Sequence, residues 1–454
     1  MSESPPPSSG PAFPVGLGNV FLFATFNALS YQMVLGSPMV LYAKSLEASA
    51  TILGLIAGMM PLLVIFQIPA ANHVARVGYK RFVYAGWGMR VLFIFCMALI
   101  PLAGKFLDRA TQLALLLFLL FGFNLSRGIS SAAWLPWITT LVPLPVRGQY
   151  LAREATRVHV ASCAAFLLAG FCLGQSSRPW QFALIFAFSA VMGAVSLNFL
   201  KRIPDVAPPE AEITAKIGVP WRAIANHPPF RKLLHLNVAW SFAYGGIATF
   251  SVAYLRVEGG LPEGTIMLVT ALSFVGGLTG LAYFESRTDR LGSKPVLTFC
   301  LALWLLILAG WLTLAGRVIH PRLPLVILLQ LLMGFAYALV NLNQTRLAMV
   351  LVPEMGRSHF FALFSVVGNL TLGITPILWG LAIDACHTLR LNLAGWELNR
   401  YSLFFLGTLA AFGLCLLLCR KLDEPRARDI DELLRDILRT PQRLWLRLWP
   451  RGQP

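Results

Sequence analysis

Long apolar stretches alternate with short polar ones along the whole chain. Twelve apolar runs lie near 18–42, 50–71, 82–102, 112–139, 155–174, 180–200, 233–255, 264–284, 295–315, 323–344, 358–383 and 401–420. Their length, about 20 residues, is what a helix needs to cross the hydrocarbon core of a bilayer. None shows the ten-residue alternation of a transmembrane strand. The pattern predicts an all-α membrane protein of twelve transmembrane helices.

A second pattern overlies the first. Residues 141–152 read LVPLPVRGQYLA and residues 351–362 read LVPEMGRSHFFA. Leu120-Phe121-Gly122-Phe123 is echoed by Leu332-Met333-Gly334-Phe335, and Arg76-Val77-Gly78-Tyr79-Lys80 by Arg290-Leu291-Gly292-Ser293-Lys294. The three echoes share nearly one offset, so the chain reads as two copies of a unit of roughly 210 residues, a design that sets two halves around a shared site. The expected organisation is a disordered cytoplasmic lead over 1–17, a six-helix bundle over 18–200, a proline-rich cytoplasmic linker over 201–232 with a short helix around Trp221 to Asn226, a pseudo-symmetric second bundle over 233–420, and an amphipathic cytoplasmic tail over 421–454. In that tail, Ile430, Leu433, Leu434, Ile437 and Leu438 keep helical spacing after Pro425, and Arg443 to Arg451 alternate basic with interfacial residues. This composition suits a segment lying on the inner leaflet.

Composition sharpens the class. Charged residues make up 13% of the chain and hydrophobic ones 57%, whereas a soluble chain is about a quarter charged. The net charge of +17 suggests nucleic acid until the basic residues are placed on the span map. Most of the 37 Lys and Arg fall in the tails and even-numbered loops. The positive-inside rule then predicts a multi-pass protein of the cell (inner) membrane, with both termini cytoplasmic and no nucleic-acid partner. The Pro/Ser-rich stretch 1–14 has no Lys or Arg, so no cleavable signal peptide is expected and span one serves as the insertion signal. Six of the seven cysteines lie inside spans and Cys386 lies in an outer loop, so no disulfide is expected. No CxxC or HExxH occurs, and neither a metal nor a cofactor is expected. No nucleophile–base pair or phosphate loop marks an enzyme.

Thr288-Asp289-Arg290-Leu291-Gly292-Ser293-Lys294 resembles the D-R-x-G-x-[KR] signature of the major facilitator superfamily. Ala75-Arg76-Val77-Gly78-Tyr79-Lys80-Arg81 is a degenerate copy, with Ala75 where that family has Asp. The resemblance implies two six-helix bundles, alternating access and a role for these loops as a conformational switch: Arg76, Gly78 and Lys80 in the first, Asp289, Arg290, Gly292 and Lys294 in the second. It also implies a clasp between Asp289 and the start of span five, near Arg153 and Arg157. The repeated Leu-Val-Pro-x-x-x-Arg places Arg147 and Arg357 at the inner ends of spans four and ten, either as gate elements or as snorkelling helix caps.

Two charges lie inside spans. Arginine at membrane depth costs at least a few kcal/mol and faces a cavity or a partner. Arg127 is the first candidate for a substrate contact, with a structural ion or hydrogen-bond partner as its alternative. It sits in a loose match to the superfamily's R-x-x-x-G motif, with Ser131 in place of Gly. Arg90 reads as structural. The resemblance places spans one, four, seven and ten around the cavity. Asn27, Gln32, Asn124, Trp240, Tyr244, Asn341, Asn343 and Gln344 therefore join the candidate site, and Gly245-Gly246 is expected to bend span seven. None of the 20 Asp and Glu lies in the middle of a span, which leans away from an intramembrane carboxylate as proton carrier. The expected function is transport of a small polar or anionic solute by a monomer in the lipid bilayer. The alternatives are efflux of amphiphilic compounds and a non-transporting sensor or scaffold.

Overall fold

The computed structural model describes residues 17–142, 144–206, 227–319, 322–351, 357–393, 395–424, 427–428 and 430–437. Twelve helices are long and apolar enough to cross a membrane: Leu17–Ser45, Ala50–Ala71, Tyr79–Lys105, Arg109–Leu141, Arg153–Leu173, Pro179–Arg202, Pro228–Val257, Glu263–Phe284, Ser293–Ala315, Leu323–Leu351, Leu363–Ala385 and Arg400–Arg420. They are spans one to twelve below. In hydrocarbon every backbone N–H and C=O must be satisfied within the segment, and the helix does so. The helices run longer than the apolar runs because polar residues cap them outside the hydrocarbon. Asp108 accepts from Ala110 N and Thr111 N at the start of span four. Asn399 does the same for Tyr401 N and Ser402 N at the start of span twelve. The linker helix expected around Trp221 to Asn226 lies outside the described residues.

The chain divides into two compact units, 1–46 with 63–216 and 47–62 with 217–454. In the first unit a core of Phe23, Tyr79, Trp137 and Tyr150 is fully buried. In the second, Trp304, Trp311 and Phe405 form the interior, with Trp311 stacked on Phe405 at 5.6 Å. Residues 47–62 group with the second unit because the N-terminal end of span two is held by the C-terminal end of span eleven. The Asp384 carboxylate accepts from Ala50 N at 2.9 Å, Thr51 N at 2.8 Å and Thr51 Oγ1 at 2.6 Å. Large apolar side chains such as Phe118, Phe171 and Leu306 are 68%, 75% and 71% exposed. That outward face is unfavourable in water and at home in lipid.

Three spans are interrupted, span two by a 3-10 turn at Val64–Phe66. Span one breaks at Gly36, between helices Leu17–Leu35 and Ser37–Ser45. Span seven breaks after Tyr244, and Gly246 takes φ +90°, a left-handed conformation that glycine adopts without a Cβ penalty. The glycine pair in the sequence thus interrupts the helix as expected. One element has no counterpart in the sequence reading, a hairpin between spans eleven and twelve. Its strands β1 (Arg390–Leu393) and β2 (Trp396–Asn399) pair antiparallel, with Arg390 opposite Asn399. It is stapled to neighbouring loops by Arg317–Glu397 at 3.0 Å and by Glu258, which meets Arg317 at 3.2 Å and Arg400 at 3.0 Å.

Candidate functional site

In the first unit, spans one, three, four and five converge on a polar cluster. Asn27 and Tyr31 stand one helical turn apart on span one, and Gln32 follows. The Asn27 Oδ1 accepts from Trp87 Nε1 of span three at 3.2 Å. Gln32 Nε2 donates to Ser162 Oγ of span five at 3.0 Å, and the Tyr31 hydroxyl lies close to both. Ser162 is itself fully buried and donates to the Val158 carbonyl at 2.7 Å.

Arg127 of span four lies within electrostatic reach of the Tyr31 hydroxyl. It is partly exposed, and its guanidinium forms no hydrogen bond or ion pair among the described residues. Span four is fixed against span three by Ser126 Oγ donating to the Gly86 carbonyl at 2.9 Å, and Ser131 Oγ returns to the Gly128 carbonyl. The alignment of Arg127 is therefore set by helix packing, while its charge stays uncompensated. Arg90 enters the same cluster from span three. It is 4% exposed, with its Cζ 4.7 Å from the Trp87 ring centre and 5.0 Å from that of Phe123. Its Nε is buried without a partner.

The sequence profile of the Major Facilitator Superfamily matches residues 20–284 and 254–451. The chain belongs to the major facilitator superfamily. No curated protein matches it significantly. Among solved structures, a point mutant of the nucleoside transporter NupG is similar at 10% identity and TM-score 0.69, covering 90% of this chain and 100% of that one. The D-xylose–proton symporter is similar at 14% identity and TM-score 0.69, covering 90% of this chain and 98% of that one. A POT family transporter solved with 5-aminolevulinic acid is similar at 12% identity and TM-score 0.65, covering 94% and 96%. At these identities the likeness is one of fold. Family and fold are those of membrane transporters, and this superfamily member is a multi-pass integral membrane protein.

The other candidate residues divide by location. Asn124 is 1% exposed and donates to the Leu120 carbonyl of its own helix at 2.9 Å. Asn343 is fully buried and donates to the Leu339 carbonyl at 2.8 Å. Gln344 is 6% exposed, with its Nε2 unpartnered. These three amides face helix interiors. Asn341 is exposed and donates to the Tyr337 carbonyl at 3.0 Å. Trp240 and Tyr244 stack at 5.4 Å. Tyr244 continues onto Tyr337 at 4.6 Å, and Trp240 meets Trp304 and Phe412 edge-on. The second unit thus carries an aromatic stack, and the first carries cations and hydroxyls.

The superfamily loops form on glycine in both copies. Gly78 sits at φ +86° and ψ 148°, and Gly292 at φ +93° and ψ 171°, a region essentially open to glycine alone. Arg76 is exposed and Lys80 partly so. In the second copy Arg290 pairs with Asp436 at 2.7 Å. The Lys294 Nζ donates to the Leu422 carbonyl at 2.6 Å. The side chains of Asp289, Arg147 and Arg357 lie outside the described residues, so the expected clasp falls there too. Arg157 lies over the Phe21 ring at 4.7 Å.

Sequence reasoning passed over Tyr31, Ser162 and Trp87. Tyr31 carried one faint signal, its four-residue spacing from Asn27 next to Gln32. Ser162 carried none, since a serine in an apolar span is ordinary.

Proposed function

We propose that this chain carries a small polar or anionic solute across the cell (inner) membrane by alternating access, with both termini cytoplasmic and with Arg127 as the solute's anchor. One observation carries this reading. A guanidinium inside span four has no carboxylate or hydrogen-bond partner among the described residues, beside a hydroxyl–amide cluster of Tyr31, Gln32 and Ser162. An unpaired charge at that depth is unfavourable by at least a few kcal/mol unless a ligand completes it. Asn27 fixes the cluster through Trp87. The loops at Arg76, Gly78 and Lys80 and at Asp289, Arg290, Gly292 and Lys294, with Arg147 and Arg357, serve as the conformational switch.

A second reading, efflux of amphiphilic compounds, is favoured by the Trp240–Tyr244–Tyr337 stack, whose Tyr337 is 40% exposed. Thermal shift on the purified protein separates the two. Organic anions are expected to stabilise the wild type and not Arg127→Gln, with both proteins equally folded. Equal stabilisation of both by lipophilic cations, with no response to anions, would transfer the assignment to efflux.

A further inference from the structure

The cluster in the first unit holds two guanidiniums, and neither is neutralised. Arg90 stacks between Trp87 and Phe123. Phe123 stands one helical turn before Arg127, so the stack brings Arg90 to the face of span four that carries Arg127. From the other side, Trp87 is tied to Asn27, one turn from Tyr31. The Tyr31 hydroxyl feels both Arg127 and Arg90, and Arg90 feels Arg127. The rings contribute cation–π attraction, about 0.5–2 kcal/mol each. They leave the buried charge in place, and they leave the Arg90 Nε without an acceptor. Two like charges held close in a poorly hydrated site repel each other, and a ligand bearing two negative charges relieves both the repulsion and the desolvation. A monoanion relieves only part.

We propose that Arg90 and Arg127 together form a receptor for a compact dianion, with Tyr31 and Gln32 donating hydrogen bonds to its oxygens and Ser162 holding the Gln32 amide in place. Arg127, the more exposed of the pair, makes the direct contact. Arg90 acts through space and sets the preference for the second negative charge. This rests on the anion-anchor reading above and adds the charge of the solute to it. A dicarboxylate and a phosphate monoester share the required chemistry.

The test uses full-length protein purified in detergent and calorimetric titration with two matched pairs: succinate against monomethyl succinate, and methyl phosphate against dimethyl phosphate. Each pair compares a dianion with a monoanion of similar shape, and the two pairs separate carboxylate from phosphate recognition. In at least one pair the wild type is expected to bind the dianion about tenfold tighter or more, ~1.4 kcal/mol. Arg90→Gln should bring that ratio close to one while monoanion binding persists, and Arg90→Lys should preserve it. Arg127→Gln should abolish binding of both. A wild type that binds mono- and dianions alike overturns the proposal and leaves the anchor standing, as does an Arg90→Gln protein that keeps the preference. A wild type that binds no anion in either pair removes the anchor itself. Should Arg90→Gln not fold, the wild-type ratio and Arg90→Lys still decide.

Discussion

After spans two and eight the chain makes the same turn, on Gly78 and on Gly292, but the surroundings of the two turns differ. An added Cβ on Gly78 would meet nothing within 4 Å. One on Gly292 would meet the Ala427 Cα at 3.1 Å and the Glu424 carboxylate at 3.2 Å. The chain beyond span twelve folds back over the second turn. Glu424 accepts from Ser293 N at 3.0 Å and Lys294 N at 2.6 Å, capping span nine. Arg428 N donates to the Leu291 carbonyl at 2.9 Å. A helix over 430–437 follows, with Leu433 fully buried and Asp436 on Arg290. The chain beyond span six begins the same way. Ile203 is fully buried there, as Leu422 is beyond span twelve. Asp205, two residues after Ile203 as Glu424 is after Leu422, is exposed and makes no hydrogen bond or ion pair among the described residues. The repeat has kept the glycine turn that the backbone requires, while the carboxylate two residues past the buried aliphatic reaches the helix end only in the second copy.

Four measurements break or sharpen that contrast. The largest effect is expected from Gly292→Ala. Both glycines, once substituted, meet backbone strain of about 1–3 kcal/mol, but the Gly292 variant must also displace the tail. Its melting temperature should therefore fall further than that of Gly78→Ala, and equal falls would mean that the tail contact carries no weight. Next comes Glu424→Ala, which leaves two helix N–H groups uncapped at a cost of about 0.5–2 kcal/mol. Hydrogen exchange at Ser293 and Lys294 should quicken, whereas Asp205→Ala should leave the start of span three unchanged.

Arg290→Ala should cost less, about 0–1 kcal/mol, because the Arg290 side chain is 54% exposed and screened. Its signature is faster exchange over 430–437 without faster exchange at Ser293. The smallest effect concerns Asp423, whose carboxyl is held below its ordinary range by the hydrogen bond from Lys232 at 2.5 Å. A depressed folded value means that its contribution is present above the unfolded carboxylate pKa and is lost as pH falls through the folded one. Wild type and Asp423→Asn should differ slightly at neutral pH and converge in acid. A difference that grows in acid would contradict the assignment.

The twelve spans were legible in the sequence because hydrocarbon forces each crossing to be a helix of fixed minimum length, and apolar runs of that length have no other use. The turn glycines were legible through the repeated Arg-x-Gly, and the break in span seven through Gly245-Gly246. Arg127 was legible because a charge inside an apolar run is costly wherever it points. Asn124, Asn343 and Gln344 looked equivalent to Gln32 in the sequence. Periodicity gives the face of a helix only relative to its own axis, and whether that face meets a neighbour or an opening depends on how the helix is rotated in its bundle.

By itself, then, the sequence determined the class of protein, the number of its spans, the positions of its turns and the presence of an arginine, Arg127, inside one of the spans. The tertiary structure alone decided that Tyr31 lies within electrostatic reach of Arg127, that Ser162 meets Gln32, that Arg90 stands between two rings, and that Glu424 caps a helix more than a hundred residues away in the chain. Composition and local spacing act through the solvent and the backbone, which every residue meets individually. Partnerships between distant side chains exist only once the helices have been packed together.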